Sequence, residues 1–376
     1  MDDQLIGRER ERDRLEEAAG EALAGRGSLV LLAGEAGVGK TTLARRVLAD
    51  AGMPVLEGVG VHEGVAAFGP LVTVLRSRLR ATGRLLEGPL AAHLAPLLPE
   101  LGPPAPGGDP ASLFEAIRLA LASIAADESA AVFLDDLHWA DDATLELLPA
   151  LARSADEQPL LLLGAYRSDE LPRSHPIRRM RGELRRAGLL REIVVEPLGA
   201  EATAALLEST LGAAAPSLRR AVFDRTDGVP FFVKELCSAL EASGRLQPGP
   251  AGLELLEGED LPLPDSVRDA VLLRAARLGE EGRAAVTAAA VVGQRFDPEL
   301  VTAVAGLREW PDELLRLGVL TEDGPRRLAF RHALVRDAFY REIPWSRRAA
   351  LHRAVAERLE TGGAPPTVVA DQWARA

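Results

Sequence analysis

One cysteine, Cys237, occurs in 376 residues. A lone thiol excludes an intramolecular disulfide and fits a reducing compartment, so a cytoplasmic location is expected. No stretch of 18 uninterrupted apolar residues is present, and nothing reads as a membrane span or calls for a membrane partner. The opening MDDQLIGRERERDR is charged throughout and lacks the apolar centre and cleavage site of a signal peptide. Lysine is almost missing: 42 of the 44 cationic residues are arginine, and Lys40 is the first of just two lysines. The net charge of -12 argues against this chain wrapping a nucleic acid, which requires a basic face. No internal repeat is visible.

What is present describes a globular protein, with 47% apolar and 27% charged residues, too long for one ordinary core and so of two or three domains. SLVLLAG (28–34), PVLEGVGV (54–61), AAVFLDD (130–136), QPLLLLGAYR (158–167) and REIVVEPL (191–198) read as strands. Between them KTTLARRVLAD, PLVTVLRSRLR (70–80), SLFEAIRLALASIA (112–125) and DATLELLPALARS have helical periodicity, with GPPAPGGDP (102–110) as a loop. Strands alternating with helices predict a parallel sheet covered on both faces. After residue 200 the pattern turns helical: EATAALLESTL, PSLRRAVFDRT and FFVKELCSALEAS. The Gly-, Pro- and acid-rich 247–264 reads as a boundary. Two more helices follow, and 313–340 reads as helix, strand, turn at EDGP, strand, helix, the outline of a winged helix.

Gly34, Gly39, Lys40 and Thr41 satisfy G-x-x-x-x-G-K-[ST] after a strand and before a helix. The glycines, with Gly37 and Val38 between them and Thr42 behind, let backbone N–H groups face phosphate oxygens. Lys40 reaches the terminal phosphates, and the Thr41 hydroxyl is a Mg²⁺ ligand. Arginine's planar fork is a poor substitute for a compact ammonium at such a position. Asp135 falls at the C-terminal end of a buried strand, where ligands of parallel sheets collect, and is the second metal-side residue. Asp136 is placed to orient or deprotonate an attacking water; helix capping is the alternative, although Asp141 or Asp142 is better placed for that. Arg167 ends another buried strand, either near a γ-phosphate or as a salt-bridged surface residue. His138 and Trp139 read as loop-shaping residues.

The ordered set LIGRERERDRLEEA (5–18), GEAGVGKTTL (34–43), FLDDLHWAD (133–141), GAYRSDEL (164–171), DGVPFFVKEL (227–236) and FRHALVRDAFY (330–340) resembles the STAND class of signal-transduction ATPases. The nearest likeness is to the AAA-like module of large LuxR-type, MalT-like regulators common in actinomycetes. The resemblance implies an α/β P-loop NTPase (parallel five-stranded sheet, AAA-like) followed by a helical lid and a winged-helix domain. The expected division is 1–200 nucleotide-binding, 201–263 lid and linker, 264–345 winged helix and 346–376 the start of a helical repeat region. It implies ATP/ADP and Mg²⁺ as cofactors, with Ile6 and Arg8 bordering the adenine and Arg167 as sensor. Pro230 of the lid would press on the base, and His332 would touch the β-phosphate of ADP. The chain has FRH where better-known members have Met-His-Asp, so a structural role for His332 stands beside that one.

Two functions compete. In one, ADP holds a closed resting state, while ATP and an unknown inducer open the module and permit self-association, with slow ATP hydrolysis as the reset. DNA would then be bound only through a C-terminal domain outside this chain, which would be a fragment of a longer protein. In the other, the chain is a motor or DNA-loading ATPase of the wider AAA+ family. Such motors offer a lid arginine to the γ-phosphate, and DGVPFFVKEL has none near its proline; Arg225 just upstream sits awkwardly. A loader would also carry a basic winged helix, and 320–328, LTEDGPRRL, is mixed in charge. The switch is the favoured expectation.

Overall fold

SLVLLAG, AAVFLD and LLLLGAYR are nearly unbroken apolar runs because both of their faces are covered. Alternate side chains of each strand enter opposite layers: Leu29, Leu31 and Ala33 face one core, Val30 and Leu32 the other. The computed structural model of the chain describes residues 5–60, 67–107, 109–126, 129–169, 171–172 and 174–376, and of Arg274 the backbone alone. Val61 of the second expected strand, Gly108 of the expected loop and Glu170 of GAYRSDEL lie outside the described residues. The chain divides into two compact units, Met1–Glu196 and Pro197–Ala376. Among the described residues no helix is long and apolar enough to cross a membrane.

The first unit runs α1 (Glu9–Leu23), β1 (Ser28–Gly34), α2 (Lys40–Asp50), β2 (Val55–Val59), α3 (Gly69–Thr82), α4 (Pro110–Ile124), β3 (Ala130–Asp135), α5 (Asp142–Ala155), β4 (Leu160–Arg167), α6 (Pro176–Arg186) and β5 (Arg191–Val194). The five strands form one parallel sheet in the order β2-β3-β4-β1-β5. Leu15, Ala18 and Ala22 of α1 pack with Leu43, Val47 and Leu48 of α2 on one face; α3 to α6 cover the other. Helix α6 went unread in the sequence, although Ile177, Met180 and Leu184, its buried residues, recur at helical spacing.

Asp141 starts two helices at once. As N-cap of α5 it accepts from the Thr144 amide at 2.9 Å and the Thr144 hydroxyl at 2.6 Å, and it also accepts from the amides of Phe68 at 2.9 Å and Gly69 at 3.2 Å. Phe68 enters α3 at φ 62°, a left-handed conformation that a side chain adopts only under outside constraint, and the carboxylate supplies it. Asp141→Ala is therefore expected to lower stability by about 2–3 kcal/mol, a cap plus charge-assisted bonds to a second helix start. Urea unfolding measures this; a loss below about 0.5 kcal/mol, the level of an ordinary surface change, would mean water replaces the carboxylate at both helices.

The second unit holds α7 (Ala200–Leu211), α8 (Pro216–Thr226), α9 (Pro230–Ser243), β6 (Leu246–Gly249), β7 (Gly252–Leu255), α10 (Asp265–Ala275), α11 (Glu280–Val292), β8 (Arg295–Phe296), α12 (Pro298–Ala305), α13 (Glu313–Arg316), β9 (Leu320–Glu322), β10 (Leu328–Phe330), α14 (Ala333–Glu342), α15 (Trp345–Thr361) and α16 (Pro366–Trp373). The helix-strand-strand-helix order over 313–340 is as read from the sequence, with β8 added as a third antiparallel strand in the order β8-β10-β9. The expected boundary at 247–264 instead contains most of an antiparallel hairpin, β6 to β7. Pro248 fits there because β6 is an edge strand, where a missing N–H costs little. Val229 and Phe232 share one apolar core with α10, α11 and α14. Cys237 is fully buried, and burial pushes its thiol up to about 12, which keeps it protonated and inert at neutral pH.

Candidate functional site

The turn between β1 and α2 is shaped by residues that a side chain would spoil. A Cβ on Gly34 would lie 2.4 Å from the Val195 carbonyl oxygen, so only glycine lets the end of β1 run this close to the segment after β5. Gly37 and Gly39 have φ of 81° and 98°, the left-handed region that favours glycine. Gly39 is the N-cap of α2 and no side chain caps that helix. Its first-turn N–H groups are thus left for a ligand, and the helix dipole favours an anion there.

Lys40, 8% exposed, folds its ammonium back over this turn, donating to the carbonyls of Gly34 and Glu35, each at 2.9 Å. Burial holds the ammonium below the usual lysine range and Arg167 pushes it the same way, while Asp169, Asp135 and Asp136 oppose them. A phosphate beside it relieves that penalty by adding negative charge. Asp169, in GAYRSDEL, had no assigned role in the sequence; its influence on Lys40 arises because β4 ends beside β1, with Arg167 in register with Gly34.

The Thr41 hydroxyl donates to Asp135 Oδ2 at 2.7 Å, and Asp135 Oδ1 accepts the Asp136 amide at 2.9 Å. Two oxygen donors, 94 residues apart in the chain, are thereby side by side. Among the described residues no cluster of three or more His, Cys, Asp or Glu is built to hold a metal. A hydroxyl and one carboxylate fit Mg²⁺, which takes few protein ligands and keeps water and substrate phosphates. Asp136 adopts φ 50° at the turn after β3. Its Oδ1 lies 3.7 Å from Arg167 Nε and 3.7 Å from His138 Nδ1. Asp136 does not cap α5; Asp141 does. His138 is buried, and its ring packs against Trp139 in a tilted arrangement with centroids 4.9 Å apart. His175, which the sequence did not flag, tethers this loop: its Nδ1 accepts the Ile177 amide and its Nε2 lies 3.2 Å from the His138 carbonyl oxygen. Burial lowers its pKa first, with the His138 carbonyl opposing, which favours the neutral ring this pairing requires.

Arg8 is 6% exposed and donates to the Val38 carbonyl at 2.9 Å, the Glu196 carbonyl at 2.6 Å and Glu11 at 3.1 Å. It therefore braces the glycine turn from behind, with Ile6 two residues before it, partly buried. Thr42 follows in α2, partly buried. Pro230 and His332 belong to the second unit. There His332 Nδ1 lies 3.3 Å from Asp227 Oδ2, and its ring meets Phe232 edge-on at 5.2 Å; Pro230, the first residue of α9, lies between these two partners in sequence.

Residues 4–163 match the family model described as AAA ATPase domain. A protein of Rhizobium meliloti (strain 1021), itself uncharacterised, is 25% identical across 93% of this chain, which spans 36% of that relative's length. Among solved structures, a Walker-type ATPase of Pyrococcus abyssi superposes with a TM-score of 0.56 at 15% identity, over 89% of this chain and 96% of that one. A signal-transduction ATPase with a tetratricopeptide repeat sensor from Pyrococcus horikoshii gives a TM-score of 0.43 at 16% identity, over 97% of this chain and 46% of that one. The glycine turn, Lys40, Thr41 and Asp135 and the match over residues 4–163 agree: the first unit carries a P-loop ATPase module that is similar to the AAA ATPase domain.

Proposed function

We propose that the chain is the nucleotide-operated switch of a signal-responsive transcriptional regulator, resting with ADP bound and opened by ATP. The supporting observation is Arg225. It is the arginine closest before the lid proline, and its Nη1 is paired to Asp337 within the second unit. A motor needs a lid arginine presented to the γ-phosphate, whereas this one is held by a carboxylate of its own unit. Residues 264–345 serve in this reading as the winged-helix domain and 201–263 as the lid. His332 and Pro230, joined through Phe232 and Asp227, would meet ADP as one piece, so the same contact closes both domains on the nucleotide.

At the phosphate end, the α2 amides and Lys40 hold the β- and γ-phosphates, and Thr41 and Asp135 hold Mg²⁺. Bound there, Mg²⁺ neutralises phosphate charge. Asp136 holds the attacking water and takes its proton, and Arg167 orients that carboxylate and senses the γ-phosphate. A nearly complete shift between the two states needs a differential affinity of only about 5 kcal/mol, so slow hydrolysis suffices as a reset. Opening exposes surface for self-association. DNA contact belongs to a domain outside this acidic chain.

The test is the nucleotide that the protein keeps. After purification, denaturation and anion-exchange chromatography, near-stoichiometric ADP is expected, with His332→Ala retaining much less. An empty site together with rapid ATP turnover would instead support the motor reading, whose lid arginine would have to leave Asp337.

A further inference from the structure

Within the second unit, the C-terminal half of α8, the end of β7, α14, α15 and the residues just after α16 enclose a cleft of about 520 Å³. Five of the eleven residues lining it are arginines, in a chain whose net charge is -12. Asp260 and Asp337 are the carboxylates of the lining, and Asp371 pairs with Arg375 from outside it at 3.1 Å, which leaves a surplus of two positive charges. Like charges gathered this way repel, and packing alone gives no reason to collect them.

The arginines are also held in place. Asp337 pairs with Arg225 and lies 3.4 Å from Arg336 Nη1, while Arg336 Nε donates to the Ala290 carbonyl at 3.0 Å. The guanidinium carbons of Arg336 and Arg348 lie 5.4 and 5.0 Å from the centre of the Tyr340 ring, which pins both over an aromatic face. Tyr340 is fixed in turn: its hydroxyl is 2.9 Å from His352 Nε2, and His352 Nδ1 is 2.7 Å from Gln372 Oε1. Arg225 Nε is buried without a hydrogen-bond partner, an orphan donor of the kind that a ligand satisfies. Burial lowers the pKa of Arg225; Asp337 opposes this, and Arg341 and Arg336 add to it. Ala221, Leu255 and Leu261 supply an apolar wall, and the volume suits a metabolite-sized molecule.

We propose that this cleft binds a small organic phosphate carrying at least two negative charges, a ligand separate from the nucleotide held at Lys40. Guanidinium forks match phosphate oxygens in pairs, and a phosphoryl group concentrates two charges in little space, as the surplus requires. The site stands on the second unit's own residues and does not depend on the switch reading.

Inorganic pyrophosphate is the probe, titrated calorimetrically into the Lys40→Ala chain, whose phosphate loop is disabled. One saturable site is expected, weakened roughly tenfold to a hundredfold by adding Arg341→Gln and Arg348→Gln, the range for lost charge-assisted bonds. Arg341→Gln with Arg375→Gln serves as a second pair in case the first disturbs the Tyr340 stack. ADP affinity on the wild-type Lys40 background should be unchanged by either pair. Equal pyrophosphate affinity with and without the pairs, or no binding, would overturn the site. Citrate titrated in parallel separates the chemistries, and tighter binding of citrate would overturn the phosphate assignment.

Discussion

Lys40→Ala is expected to weaken ATP binding by roughly a hundredfold, about 3 kcal/mol, the upper range for a charge-assisted hydrogen bond removed from a buried site. The ammonium is the one lysine charge at the glycine turn, and it is already partly desolvated, so little further desolvation accompanies its contact with phosphate. Its bonds to the Gly34 and Glu35 carbonyls raise the alternative that it only shapes the turn. The two roles separate experimentally. Equilibrium binding of a fluorescent ATP analogue should collapse while the urea midpoint moves little; a large loss of stability with ATP affinity preserved would make Lys40 a scaffold residue. Lys40→Arg should not restore binding, because a planar guanidinium cannot replace a compact ammonium within the turn.

The second large effect is on turnover. Asp136→Asn is expected to lower kcat for ATP hydrolysis by about 10²–10⁴, the contribution of a positioned general base, with ATP affinity nearly unchanged. Asparagine is the informative replacement: it is isosteric and tolerates the left-handed backbone that Asp136 adopts at φ 50°. The turn and its spacing to Arg167 are then preserved while the proton-accepting charge is lost. Single-turnover hydrolysis with Mg²⁺ measures the step. Unchanged kcat in this variant would reduce Asp136 to a turn residue and leave the water to another group.

The parts of this site that could be read in advance are local. Gly34, Gly37, Gly39, Lys40 and Thr41 lie within eight consecutive positions, and their meaning follows from backbone sterics and a helix start. Asp135 was legible because a buried strand must end where its apolar run ends. The hairpin at 246–255 was hidden because its proline and glycines, normally loop residues, occupy an edge strand and its turn. Helix α6 was overlooked among arginines, although its three buried residues carried the period. Arg8 was assigned by resemblance to the adenine, yet its bond to the Val38 carbonyl is a contact that spacing cannot reveal.

By itself, then, the sequence determined that a phosphate-binding turn joins a buried strand to a helix, that a second apolar strand delivers a carboxylate at its end, and that a parallel sheet carries both. These follow from interactions between near neighbours and from burial period. The strand order β2-β3-β4-β1-β5 was decided only by tertiary packing, and with it the 2.7 Å pairing of Thr41 with Asp135 and the placing of Arg167 beside Asp136. So was the arginine cleft, whose charges are dispersed from residue 225 to residue 375. Such contacts depend on which apolar faces meet, and that is settled by the whole core at once, because each helix can bury its stripe against more than one neighbour until the others are in place.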